Sequence, residues 1–187
     1  MRLFTAIELS DEARGAIAAA QKTIAAALSD SPRSLRLVRT EHLHLTLVFI
    51  GEVPNDRGAA MAEAMSADIP QAPFAIEFGG IGVFPPSGPP RICWLGVLDG
   101  AEEVVRLHTH VAERLRGLGV PVEGKPYRPH LTLGRWRDRV RSVKSRIEPS
   151  AAPVARVIVS AVTLFESRLS SAGPSYTRLA SARLSCP

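Results

Sequence analysis

Apolar positions follow two rhythms along this chain, and the switches between them mark its elements. Residues 2–9, "RLFTAIEL", alternate with the period of two that a strand requires. Ser10 then stands where an N-cap belongs, with Asp11 and Glu12 in the first turn of an alanine-rich helix running to about Leu28. "SDSPRS", residues 29–34, breaks it. Strands are expected over "LRLV" at 35–38 and "LHLTLVFI" at 43–50, with Gly51 to Pro54 ending the second. A helix over 55–67, a strand within 74–84 and the turn-rich linker "PPSGPP" at 85–90 follow.

The second half runs through a similar order. Residues 91–97 form a strand, 101–119 a helix closed by Gly119, and 130–135 a strand. A basic helix over 137–147 precedes strand segments at 154–165 and 175–184. Each half offers strands and two helices, with one His-Leu-Thr-Leu strand in a comparable place. The expectation is an α/β (α+β) protein of two similar lobes, consistent with an old duplication.

Length and composition add bounds. A chain of 187 residues suits one domain, or two small lobes sharing a core. The hydrophobic share of 45% and charged share of 22% are ordinary for a soluble globular protein. A net charge of +5 favours an anionic partner without fixing fold or specificity. Much of the basic bias is arginine (20 Arg, 3 Lys), which a GC-rich genome would also produce. Cys93 and Cys186 are too few for a disulfide framework or a zinc cluster, and Cys93 in "ICWLGV" is expected to be a buried small hydrophobe. Glu8, Asp11 and Glu12 come before any long apolar stretch, so no signal peptide or membrane span is expected, and the cytoplasm is the expected location.

The chemistry concentrates in two strands. In "HLTL" at 44–47, His44 and Thr46 share one face while the leucines share the other; His130 and Thr132 repeat this at 130–133. Alternate residues stand roughly 6.6 Å apart along a strand, so an imidazole and a hydroxyl can converge on one small tetrahedral group. A single His-x-Thr is most often a polar pair on an ordinary strand. Five histidines and eight threonines in this chain predict only about 0.2 such pairs by chance. Two copies, both flanked by leucine, call for another explanation. Two imidazoles and two hydroxyls suit metal-free phosphodiester chemistry: one neutral imidazole takes a proton from water and one protonated imidazole gives one to the leaving oxygen. The hydroxyls would donate to the non-bridging oxygens, and a nearby arginine would add charge.

These motifs resemble those of the RNA 2′,3′-cyclic phosphodiesterases, also called 2′-5′ RNA ligases, of the two-histidine phosphoesterase superfamily. The likeness extends to "RLFTAIEL", "EHLHLTLVFIGEV", "RICWLGV", "YRPHLTLGR" and "LFESRLSSAGPSYTRLA", nearly the whole chain. It implies one bilobal domain over residues 1–187, with mainly antiparallel sheets and the motifs facing across a cleft. It also implies opening of a terminal 2′,3′-cyclic phosphate on RNA to a 2′-phosphomonoester, with His44 as proton donor and His130 as proton acceptor. Spacing alone assigns neither role. No cofactor or metal is implied, and a monomer acting on RNA ends or small cyclic nucleotides is expected. Three rivals stay open: action on 2′-5′ linkages or cyclic nucleotides, non-catalytic binding of RNA ends, and a histidine metalloenzyme.

Other residues carry less. His42 is expected at the strand entry near the cleft rim. His108 and His110 lie two apart on a helix and point away from each other, which argues against a metal site. Arg135, at the end of its strand, is the better candidate for phosphate contact, and Arg128, of the same parity as His130, the weaker. The basic run at 135–146 reads equally as a solvated helix face or an RNA-tracking surface. Phe49 and Trp94 are expected in the core, and Trp136 either there or stacked on a base.

Overall fold

The structure is a computed structural model that describes residues 1–28, 35–121, 126–136, 152–171 and 173–186. The strands are β1 (Arg2–Glu8), β2 (Leu35–Leu37), β3 (His44–Glu52), β4 (Ile69–Pro70), β5 (Phe74–Phe84), β6 (Ile92–Asp99), β7 (His130–Trp136), β8 (Pro153–Val159), β9 (Ala161–Ser170) and β10 (Gly173–Ser185). The helices are α1 (Asp11–Leu28), α2 (Asn55–Ala64) and α3 (Ala101–Arg116). Ser10 caps α1 as expected, its Oγ accepting the Ala13 N–H at 3.2 Å. The basic helix expected over 137–147 lies outside the described residues.

The fold is mixed α/β, built on a large, mainly antiparallel sheet. Strand order is β4-β10-β9-β1-β3-β7-β6-β5-β8, with β2 also paired to β7. The β10–β4 pair is parallel. Between β3 and β7 the ladder narrows to the single pair Leu45–Leu131. The sheet therefore divides into two parts that meet at the two motifs.

Those parts are not the two halves of the chain. The run at 154–165 breaks at Ser160: β8 adds to β5 at one edge, while β9 crosses to β1 in the other part. The helices interleave as well. Helix α1 follows β1 but packs on β2 and β8; α3 follows β6 but packs on β3. Each part needs a helix from beyond its own strands to cover its apolar face, so a sequential pair of self-sufficient lobes is replaced by an interlocked one.

Beneath the motifs, Leu43, Leu45, Leu47, Leu131 and Leu133 are all buried in the main core. Burying a leucine is worth about 1.5–3 kcal/mol. A one-residue slip of β7 would lift Leu131 and Leu133 out and drive His130 and Thr132 in, so the leucines hold the polar faces upward.

Candidate active site

Antiparallel pairing of Leu45 with Leu131 sets His44 across from Thr132 and Thr46 across from His130. Each imidazole thus neighbours the hydroxyl of the other motif, in a two-fold arrangement about the leucine pair. The rings are anchored alike. His44 Nδ1 donates to the His42 carbonyl at 2.7 Å, and His130 Nδ1 donates to the Arg128 carbonyl at 2.8 Å. A carbonyl only accepts, so Nδ1 carries the proton in both neutral rings, and Nε2 is the nitrogen that carries the basic lone pair.

His42 does not lie on the strand. It ends a 3₁₀ turn, Thr40–His42. Arg14 pins that turn, its guanidinium donating to the carbonyls of Leu9 (3.0 Å), Glu41 (3.3 Å) and Leu43 (3.4 Å). The turn aims the His42 carbonyl at His44, and the His42 ring sits 4.8 Å from Tyr176.

Aromatic rings wall both histidines. Phe4 stacks on His44 at 5.0 Å and Tyr176 meets it edge-on at 5.5 Å. Phe4, Ala6 and Phe165 form their own small apolar cluster apart from the main core, with Tyr176 packed against it. Around His130, Phe84 and Trp94 stand edge-on at 5.1 Å and 6.1 Å. The Trp94 ring lies over Gly82, where a Cβ would come within 2.0 Å of it. Trp94 is only half-buried, against the expectation of a core residue.

Phe49 departs further from expectation, with 67% of its surface exposed. The cause is a bulge. Thr5 pairs with Val48 and Ala6 with Thr46, leaving Leu47 unopposed, so Leu47 and Val48 both turn inward. Thr5 Oγ1 accepts the Val48 N–H at 3.1 Å. The phase of β3 flips beyond this point and carries Phe49 to the face of Thr46. Gly51, expected to end the strand, instead continues it at a second irregularity with φ of 86°.

Burial pushes the His44 pKa down to about 4, against the opposing pull of the His42 carbonyl. Burial also lowers that of His130, where the Arg128 carbonyl opposes and Arg135 reinforces the fall. Both rings are neutral in the free protein near pH 7. Cys93, fully buried, has its thiol pushed up to about 12.

Supports outside the motifs complete the site. The Tyr127 hydroxyl donates to the Thr46 carbonyl at 2.7 Å, and its ring stacks on His108 at 4.1 Å. Buried Gln21 donates to the carbonyls of Leu133 (2.6 Å) and Val38 (2.8 Å), tying α1 to the second motif strand. Sequence reasoning missed Arg14, Gln21, Tyr127 and Tyr176. Only Gln21 left a signal, as a polar residue on the buried stripe Ala13, Ile17, Ile24, Leu28.

A cavity of about 550 Å³ opens at the motifs, and His44, Thr46, Thr132 and Arg135 line it. Among its lining residues His130 and Arg128 do not appear. His130 stands on the same strand face as Thr132, two residues away, and Arg128 contributes its carbonyl. Among the described residues no three His, Cys, Asp or Glu side chains are grouped to hold a metal ion, and no helix is long and apolar enough to cross a membrane.

The family model described as the 2′-5′ RNA ligase superfamily matches residues 9–170. The chain belongs to that superfamily. It is 34% identical over 180 residues to the RNA 2′,3′-cyclic phosphodiesterase of Archaeoglobus fulgidus, covering 96% of this chain and 98% of that protein. With the enzyme of the same name from Aeropyrum pernix it shares 36% identity over 148 residues, 78% of this chain and 84% of the relative. Among solved structures, one from Thermus thermophilus superposes with a TM-score of 0.78 at 30% identity, covering 98% of this chain and 97% of the other. Escherichia coli LigT complexed with 3′-AMP gives 0.76 at 27% identity, covering 98% of each chain.

Proposed function

We propose that this superfamily member is a metal-independent hydrolase that opens a terminal 2′,3′-cyclic phosphate on RNA to a 2′-phosphomonoester. The observation that carries this reading is the exchange-symmetric pair of imidazoles and hydroxyls about Leu45–Leu131, with both Nδ1 atoms tied to backbone carbonyls. The curated relatives' shared activity supports the substrate class.

His130 Nε2 takes a proton from water as the water oxygen bonds to phosphorus. The P–O3′ bond breaks, and protonated His44 gives its Nε2 proton to the departing 3′ oxygen, leaving the phosphate on O2′. Thr46 and Thr132 donate to the non-bridging oxygens, and Arg135 at the cavity wall stabilises the charge that builds there. Arg128 adds a second cation beside His130. His44 must be protonated for this role although its pKa in the free protein is about 4. An anionic phosphate against the ring favours the imidazolium and raises that value in the complex.

The superfamily's description favours a second reading, joining of 2′-5′ linkages. It needs the same groups in the same roles, with an RNA 5′ hydroxyl entering in place of water, its proton passing to His130, and the P–O3′ bond again breaking with proton transfer from His44.

The test is product analysis on oligonucleotides ending in 2′,3′-cyclic phosphate, in EDTA, beside 2′-5′ linked ones. The expected product is a 2′-monophosphate. His44→Ala and His130→Ala should each lower kcat by about 10²–10⁴, with the double variant little worse than the poorer single one. Activity abolished by EDTA and restored by zinc or manganese would overturn the acid–base assignment.

A further inference from the structure

We infer that the cavity beyond the motifs is a track for the single-stranded RNA body, with Phe49 as a base platform and Arg2 and Arg36 as phosphate contacts. This rests on the reading above and deepens it, since it makes the preferred substrate a polynucleotide end and not a cyclic mononucleotide.

The first ground is the charge of the walls. Arg2, Arg36 and Arg135 line this cavity, and among the described residues its lining includes no Asp or Glu. Arg2, Arg36 and Arg135 form no ion pair with a described acid. Arg36 and Arg135 are direct cross-strand partners between β2 and β7. Like charges placed directly opposite destabilise a sheet. An anion lying between them removes that repulsion.

The second ground is the contrast across the partition of His42, His44 and Tyr176. A separate cavity of about 750 Å³ on that side is lined by Glu8, Asp11 and Glu41, and its arginines are already matched. Arg14 faces Asp11 at 3.9 Å, and Arg178 Nε binds Glu8 at 2.9 Å. A polyanion anchored by its terminal phosphate at His44 is repelled from one side of the partition and attracted to the other.

The third ground is apolar. Phe49 and Leu169, 67% and 68% exposed, both line the basic cavity. Phe49 keeps only a tilted contact with Phe4, ring centroids 6.3 Å apart. Exposed aromatics between cations are how sequence-tolerant single-strand binders hold a base while charges follow the backbone. A paired base would not offer its face, so the occupant is unpaired RNA.

The experiment compares a 2′,3′-cyclic mononucleotide with a trinucleotide ending in 2′,3′-cyclic phosphate, and measures binding of the unreactive 2′-phosphate trinucleotide. Arg2→Gln with Arg36→Gln should raise KM for the trinucleotide at least ten-fold more than for the mononucleotide. The slope of log affinity against log salt should fall by about 0.7 for each phosphate that is no longer neutralised. Arg2→Lys with Arg36→Lys should keep most of that slope, which separates an effect of charge from an effect of structure. Phe49→Ala should weaken trinucleotide binding by about ten-fold or more, and Phe49→Trp should restore it. Equal losses on both substrates, or an unchanged salt slope, overturn the inference. The binding assay needs no turnover, so its outcome stands apart from any failure of the hydrolase reading.

Discussion

Leu45 and Leu131 are the one residue pair through which β3 and β7 join, and both are fully buried. That pairing places the four polar motif side chains above a shared apolar floor. Antiparallel direction then crosses the motifs, so that imidazole meets hydroxyl and not imidazole. A proton donor and a proton acceptor on opposite sides of one phosphate require this separation, because in-line displacement has its entering and leaving oxygens at opposite poles.

The depressed histidines give a pH prediction with a definite sign. Between about pH 4 and 6.5 an unfolded His44 is protonated while the folded one is neutral. The unfolded chain binds more protons there, so stability rises with pH through this window and is lost as pH falls. Thermal melting between pH 4 and 7 should show the rise, and His44→Gln should flatten it. In kinetics, the kcat/KM bell, which reports the free enzyme, should centre below pH 6.5. The kcat bell should move to higher pH, because bound phosphate favours the imidazolium. A kcat/KM optimum above pH 8 is the result that rules this out.

Thr5 is a second test point, because its hydroxyl supports the bulge that turns Phe49 into the cavity. Thr5→Val keeps the shape and removes the acceptor, leaving the Val48 N–H buried without a partner. The expected loss is about 1–3 kcal/mol by urea denaturation. Thr5→Ser should retain most of the stability. If the valine variant is as stable as the parent, the bulge does not depend on this bond.

Gly82→Ala probes the wall behind His130. The new methyl would collide with the Trp94 ring, a clash no rotation of the methyl can relieve. Overpacking of this kind typically costs about 1–3 kcal/mol. The ring should move, shifting Trp94 emission in a Trp136→Phe background, and kcat should fall several-fold as His130 loses its edge-on partner. An unchanged spectrum would show that the ring does not rest on Gly82.

Much of the site was legible in the chain alone, for local reasons. The period-two alternation in both His-Leu-Thr-Leu segments assigned His44, Thr46, His130 and Thr132 to polar faces, and all four flanking leucines are buried as that pattern requires. Ser10 and the apolar stripe of α1 were equally readable, since capping and helical periodicity act within a few residues.

What alternation could not show was where it fails. One unopposed residue at Leu47 reversed the phase of β3 and moved Phe49 from the expected core to the cavity, at a bulge whose Val48 N–H is accepted by the Thr5 hydroxyl of another strand. Ser160 divides a single apolar run between the edge strand β8 and the interior strand β9, because strand pairing depends on partners distant in sequence. The sequence by itself determined that two histidines and two threonines stand on polar strand faces above buried leucines, since this follows from side-chain identity and a local period. Only the tertiary structure decided that His44 faces Thr132, that carbonyls fix both Nδ1 protons, and that arginines from β1, β2 and β7 gather on one side of the site. Those relations arise from the register between strands that the chain brings together from far apart.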